Sequence, residues 1–120
     1  MSKAIGFVVT HAQDDPEMAT LPIMLAIGGM TMDVEPAIIL QGEGVRLAVR
    51  GYAETVNAEG LSPLEDLLSA ILGSGYQIMV CSPCMEIRGI LESDLREGFF
   101  VGGAAKVIET MLRCDSFVRY

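Results

Sequence analysis

Apolar and polar positions along the chain fall into alternating blocks. Residues 4–10, Ala-Ile-Gly-Phe-Val-Val-Thr, form the nearly continuous apolar run that a strand buried on both faces requires. Behind it, Asp15-Pro16-Glu17 supplies an N-cap, a proline at the first helical position and an acid in the first turn, which predicts a helix over 16–30. Pro22 removes a backbone donor inside that helix and predicts a bend, while Gly28-Gly29 weakens its end. Residues 34–40 read as a second strand, with Pro36 confined to its start or to a sheet edge. Gln41-Gly42-Glu43-Gly44 is a turn at that strand's carboxyl end. Val45–Val49, flanked by Arg46 and Arg50, fits a short helix, and 51–61 a loop.

Ser62-Pro63-Leu64-Glu65 has the form of a capping box. Leu64, Leu67, Leu68, Ile71 and Leu72 follow at helical spacing and predict an amphipathic helix to about residue 72. Residues 76–80, after the break Gly73-Ser74-Gly75, are apolar and β-prone. From Ser82-Pro83 the pattern turns helical to about 91, with Ser82 as the expected N-cap. A strand at 97–101, a helix opened by Gly102-Gly103 and a closing strand at 115–120 complete the series. Strands alternating with helices predict an α/β fold. The expected arrangement has three layers, α/β/α, with a mainly parallel sheet of about five strands as the middle one, in one domain over residues 1–120.

Candidate chemistry gathers where the pattern changes from strand to helix. Cys81 sits at that change, at the carboxyl end of a strand, which is the edge where ligands collect in open parallel sheets. A helix N-terminus favours a thiolate over a thiol, so an exposed nucleophilic thiol of lowered pKa is expected at Cys81. Cys84 completes a C-x-x-C motif, open to redox exchange, metal binding, or one reactive thiol with a helper. A complete zinc site would need Cys81, Cys84, Cys114 and His11 to converge from distant segments, so neither a metal nor any other cofactor is expected. His11 follows the first strand on the same expected sheet edge and is a candidate to orient the thiol. The alternative is a solvated loop histidine. Arg88, a turn beyond Cys84, is a candidate to hold a negative sulfur; otherwise it pairs with Glu86 or Glu92. Cys114 reads as structural.

Composition narrows the classes. The chain is 51% apolar but only 6% aromatic, with eight Met and no Trp, as an aliphatic α/β core would be. A net charge of −8 without any Lys/Arg cluster excludes a basic nucleic-acid footprint. The longest apolar stretch, Leu21–Met32, is too short to span a bilayer. Three cysteines and no evident signal peptide fit a reducing, cytoplasmic home.

In their order the motifs resemble the DsrE/DsrF/TusD-like sulfur-relay proteins, which share the YchN-like fold. They are Thr10-His11 with Asp14-Asp15-Pro16-Glu17, then Val80-Cys81 with Arg88-Gly89-Ile90. The closing set is Gly98-Phe99, Gly102-Gly103, Leu112-Arg113-Cys114-Asp115 and Val118. The resemblance covers nearly the full length. It implies that Cys81 accepts sulfane sulfur as a persulfide and passes it to a partner protein, within a homo-oligomer or mixed complex that is a trimer or hexamer. Donor and acceptor proteins would be the partners. Cys84 departs from the TusD pattern, which has an apolar residue there, and so opens a route in which Cys84 discharges the persulfide. The supporting set is then His11, Ser82 and Arg88. The rival readings are a dithiol oxidoreductase using Cys81 and Cys84, and a non-catalytic oligomeric binding or regulatory module.

Overall fold

In the computed structural model, which describes residues 3–120, five strands form one sheet. They are β1 (Lys3–Val9), β2 (Val34–Leu40), β3 (Ile78–Cys81), β4 (Phe99–Gly102) and β5 (Ser116–Arg119). Their order is β4-β3-β2-β1-β5, and every pairing is parallel. Parallel neighbours need crossovers, here supplied by helices α1 (Pro16–Met30), α2 (Leu64–Gly73), α3 (Ser82–Ile87) and α4 (Ala104–Arg113).

Handedness then assigns the helices to faces. From β1 through β2 and β3 to β4 the chain steps in one direction, so right-handed crossovers put α1, α2 and α3 on one face. The last connection runs back across the sheet to β5, which puts α4 on the opposite face. Side-chain alternation matches this division. Phe7, Val9, Ile38, Leu40, Ile78 and Val80 pack with Ile23, Leu68, Ile71 and Met85 in the larger core cluster. Val8, Ile39 and Met79 point the other way and pack with Val107 of α4.

Local signals act as expected in α1. The Asp15 carboxylate accepts from the Met18 N–H at 3.2 Å, and Pro16 begins the helix. Two expected caps give way to other contacts. The capping box at Ser62 does not form: Pro63 occupies the N-cap position without a side-chain bond, and α2 begins at Leu64. Glu65 is instead drawn to Arg96, whose Nη2 donates to it at 2.9 Å, and accepts from the Ser69 hydroxyl at 2.8 Å. A forked, charge-assisted pair outcompetes a single backbone N–H. At α3 the helix begins one residue early, so Cys81 holds the N-cap position and Ser82 becomes the first helical residue. The reason is that β3 runs on through Cys81, which pairs with Gly102.

Residues 42–48 form a 3-10 helix, and Ala53–Thr55 a shorter one within the expected loop. That loop is tied to the segment after β1. The Gln13 N–H donates to the Tyr52 hydroxyl at 3.4 Å, and the Gln13 side chain to Thr55 at 2.6 Å. Among the described residues no helix is long and apolar enough to cross a membrane.

Candidate functional site

Because every strand is parallel, all carboxyl ends lie along one edge. The connections leaving β1, β2 and β3 turn toward the larger core, whereas the one leaving β4 turns toward α4. The crevice between the ends of β3 and β4 is therefore the place where the backbone divides, and ligands favour such a switch point. Cys81 ends β3 there, and its register partner Gly102 ends β4. At the end of its strand Cys81 meets both sides: it packs in the larger core cluster with Met85, and, two residues on from Met79, its side chain also reaches the space under α4. It lines a cavity of about 300 Å³ whose other walls are Gln41, Pro83, Ala104, Val107, Ile108 and Met111. The absence of a side chain on Gly102 leaves room for the buried Met79 side chain, which would otherwise have to shift. A Cβ would stand 2.6 Å from the Met79 sulfur.

The thiol is not the exposed, low-pKa group that position alone suggested. Cys81 is only 8% exposed, and burial pushes its thiol above the ordinary value. The backbone N–H of Cys84 works against that rise. The Cys84 side chain reinforces it, and the Arg88 charge opposes it. Desolvation wins because α3 is short and supplies little more than this one N–H, while β3 and α4 remove water.

Arg88 is held close by. Its Nη1 donates to the Cys84 carbonyl at 3.1 Å and its Nε to Glu43 at 2.7 Å, with the side chain 18% exposed. The partner is thus neither Glu86 nor Glu92 but a carboxylate on the turn after β2, which the adjacency of β2 and β3 brings alongside. Arg46 reaches the other oxygen of Glu43 at 2.8 Å. The hydrogen bonds from Arg88 and Arg46 hold the Glu43 carboxyl below the usual range. Glu43 carried no sequence signal beyond its place in a glycine-flanked turn. The four α4 residues of the cavity wall carried none, since nothing local says which helix returns over β3.

The remaining sequence candidates disperse. His11 shares the edge with Cys81, but β2 lies between their strands, a lateral separation of roughly 10 Å. Its Nδ1 engages Asp14 at 2.6 Å instead. Burial raises the Asp14 carboxyl, but the Ala12 N–H and His11 outweigh it, and the net shift is downward. Ser82 occupies the first turn of α3, half-buried, beside the cavity rim. Cys114 lies just before β5, at the opposite edge of the sheet from Cys81, and burial raises its thiol too. The four residues of the conceivable zinc set are thus split between two edges.

Comparison with known proteins completes the picture. An uncharacterised protein of Methanocaldococcus jannaschii, MJ0760, is 36% identical over 95 residues, which is 79% of this chain but only 34% of that protein. The chain thus spans about a third of that relative. An uncharacterised protein of Methanopyrus kandleri, MK0008, is 24% identical over 95% of this chain and 91% of its own length. Among solved structures, the Escherichia coli YchN protein superposes with a TM-score of 0.82 at 20% identity, covering all of both chains. MTH1491 of Methanobacterium thermoautotrophicum, a protein of unknown function, does so at 0.74 and 18%, also over all of both chains. These two likenesses concern the fold, which is the α/β architecture expected. The model of the DsrE/DsrF-like family matches residues 3–120, and the chain belongs to that family.

Proposed function

We propose that this chain is a sulfur carrier, in which Cys81 accepts sulfane sulfur as a persulfide and passes it to a partner protein. The observation that carries the reading is the cavity at the switch point with the Cys81 thiol in its wall. Membership of the DsrE/DsrF-like family supports it. The Cys81 thiolate attacks the outer sulfur of a donor R–S–SH; Cys81–S–SH forms and R–S⁻ leaves, with no net oxidation. The new S–S bond, about 2.05 Å long, extends the sulfur into the cavity. The Arg88 charge and the Cys84 N–H favour the anionic sulfur against the desolvation that surrounds it. A partner thiolate then takes the outer sulfur by the same displacement.

A second reading rests on the contact between the Cys84 and Cys81 side chains. Attack by the Cys84 thiolate on the inner sulfur of Cys81–S–SH would expel HS⁻ and leave an 81–84 disulfide, which an external dithiol must reduce. Intact mass separates the two. The chain, Cys81→Ser and Cys84→Ser are incubated with a cysteine desulfurase and cysteine. A reductant-reversible gain of one sulfur by the chain and Cys84→Ser, but not by Cys81→Ser, is the result expected of a carrier. Greater retention by Cys84→Ser assigns discharge to Cys84. No gain in any variant, with ready formation of an 81–84 disulfide, would sink the carrier reading in favour of dithiol exchange.

A further inference from the structure

The walls of the Cys81 cavity differ from those of the other clefts. At the amino end of the strands, one cleft of about 290 Å³ is flanked by the Glu35–Arg113 ion pair, and another of about 590 Å³ by Arg96 and Glu97. None of the described residues that line this cavity is charged, and the Arg88 charge acts only on the Cys81 sulfur at its end. Pro83 and the aliphatic groups of α4 form the wall, and Gln41 adds the one amide. A charged group resting against the α4 wall, away from the sulfur, would lose hydration without gaining a counter-charge there, and a chain of net charge −8 repels anionic groups as they approach. A volume of about 300 Å³ lies at the small end of ligand pockets.

The geometry points to a binding site, beside Cys81, for a low-molecular-weight persulfide whose organic group is an uncharged alkyl or aryl group. The apolar group rests on Val107, Ile108 and Met111, and the outer sulfur faces the Cys81 thiolate. Transfer follows the balanced displacement given above, with the apolar thiolate R–S⁻ as leaving group. The inference rests on the proposed function for the use made of the sulfur, but the selectivity of the cavity does not depend on it. Donors whose remainder carries charge, such as thiosulfate or a glutathione persulfide, are disfavoured by the same walls.

Two methanethiosulfonates with a common leaving group test the selectivity. Cys81–S⁻ attacks R–S–SO₂CH₃ to form Cys81–S–S–R, and CH₃SO₂⁻ departs. Rates at Cys81 are read by peptide mass in Cys84→Ser, for R = benzyl and for R = sulfonatoethyl, each divided by the rate for the same chain unfolded in urea. The benzyl reagent is expected to be favoured roughly thirtyfold. Ile108 is 55% exposed, so Ile108→Lys should fold, and it is expected to cut that preference about tenfold. Equal normalised rates, or a preference untouched by Ile108→Lys, would overturn the inference. Sulfur gain from the desulfurase without benzyl preference overturns the cavity assignment and leaves the carrier standing. Benzyl preference without any sulfur gain does the reverse.

Discussion

The two faces of the sheet are built on different terms. Beneath α1, α2 and α3, three helices and two 3-10 segments enclose a continuous aliphatic core in which Ile23, Leu64, Leu68 and Ile71 are fully buried. Among the described residues α4 alone lies over the other face, with Val107 and Thr110 as its buried residues. Its Leu112 is 81% exposed, and β5 leaves Phe117 50% exposed on the same side. One face is there to hold the fold together. The other is a thin cover, and the cavity beside Cys81 opens beneath it. Stability and chemistry are thus divided between opposite sides of one sheet, and Cys81, at the end of a strand shared by both, belongs to each.

Core truncation is the strongest way to break this contrast. Leu68→Ala should cost about 3 kcal/mol in a urea melt, since a buried leucine is lost and a cavity remains. Val107→Ala on the α4 side should cost less, about 1–2 kcal/mol, because fewer atoms are removed from a shallower cluster. Equal losses would show that α4 anchors the sheet as firmly as the other helices do. Gly44→Ala comes next, at about 2 kcal/mol from overpacking. Its Cβ would lie only 2.2 Å from the Val9 carbonyl oxygen, which already accepts from the Gln41 N–H at 2.9 Å and has no room to yield.

Acid and base should act on different parts of the site. The Glu43 carboxyl has a folded pKa below its unfolded value, so its contribution is present above about pH 4.3 and is lost as pH falls through the folded value. The Cys81 thiol has a folded pKa above its unfolded value. Its contribution is present below about pH 8.5 and is lost as pH rises through the folded value. Alkylation of Cys81 should therefore rise to its plateau at a higher pH than an ordinary thiol does, and Arg88→Gln should move that midpoint further up. A midpoint unmoved by Arg88→Gln would deny the guanidinium any influence on the sulfur. The smallest effect concerns the exposed apolar groups. Leu112→Ser should change monomer stability by no more than about 0.5 kcal/mol, and a larger loss at high protein concentration would show that something covers that face.

Much of the fold was legible because its signals are local. Asp15-Pro16 begins α1 through a backbone preference and a side-chain oxygen three residues from its donor, and no distant contact is needed. The leucines of α2 mark their own buried stripe. The capping box expected at Ser62 does not form because Glu65 has a better partner 31 residues away in Arg96. A tertiary ion pair has no local signature. His11 illustrates the same limit, since the expected edge was correct but the number of strands separating it from Cys81 was a matter of sheet order.

By itself the sequence determined that strands and helices alternate, that the sheet is parallel, and that Cys81 stands where a strand hands over to a helix. Periodicity, caps and turn residues carry that information within a few positions. Only the tertiary structure decided that the final crossover turns back over β3, bringing α4 against Cys81, and that β2 and β3 are neighbours, bringing Glu43 to Arg88. The first placement removes water from the thiol, raises its pKa and gives it an apolar cavity, while the second fixes the Arg88 charge that opposes the rise. The reason is that desolvation and charge pairing depend on what surrounds a group in space, and those surroundings come from segments far away in the chain.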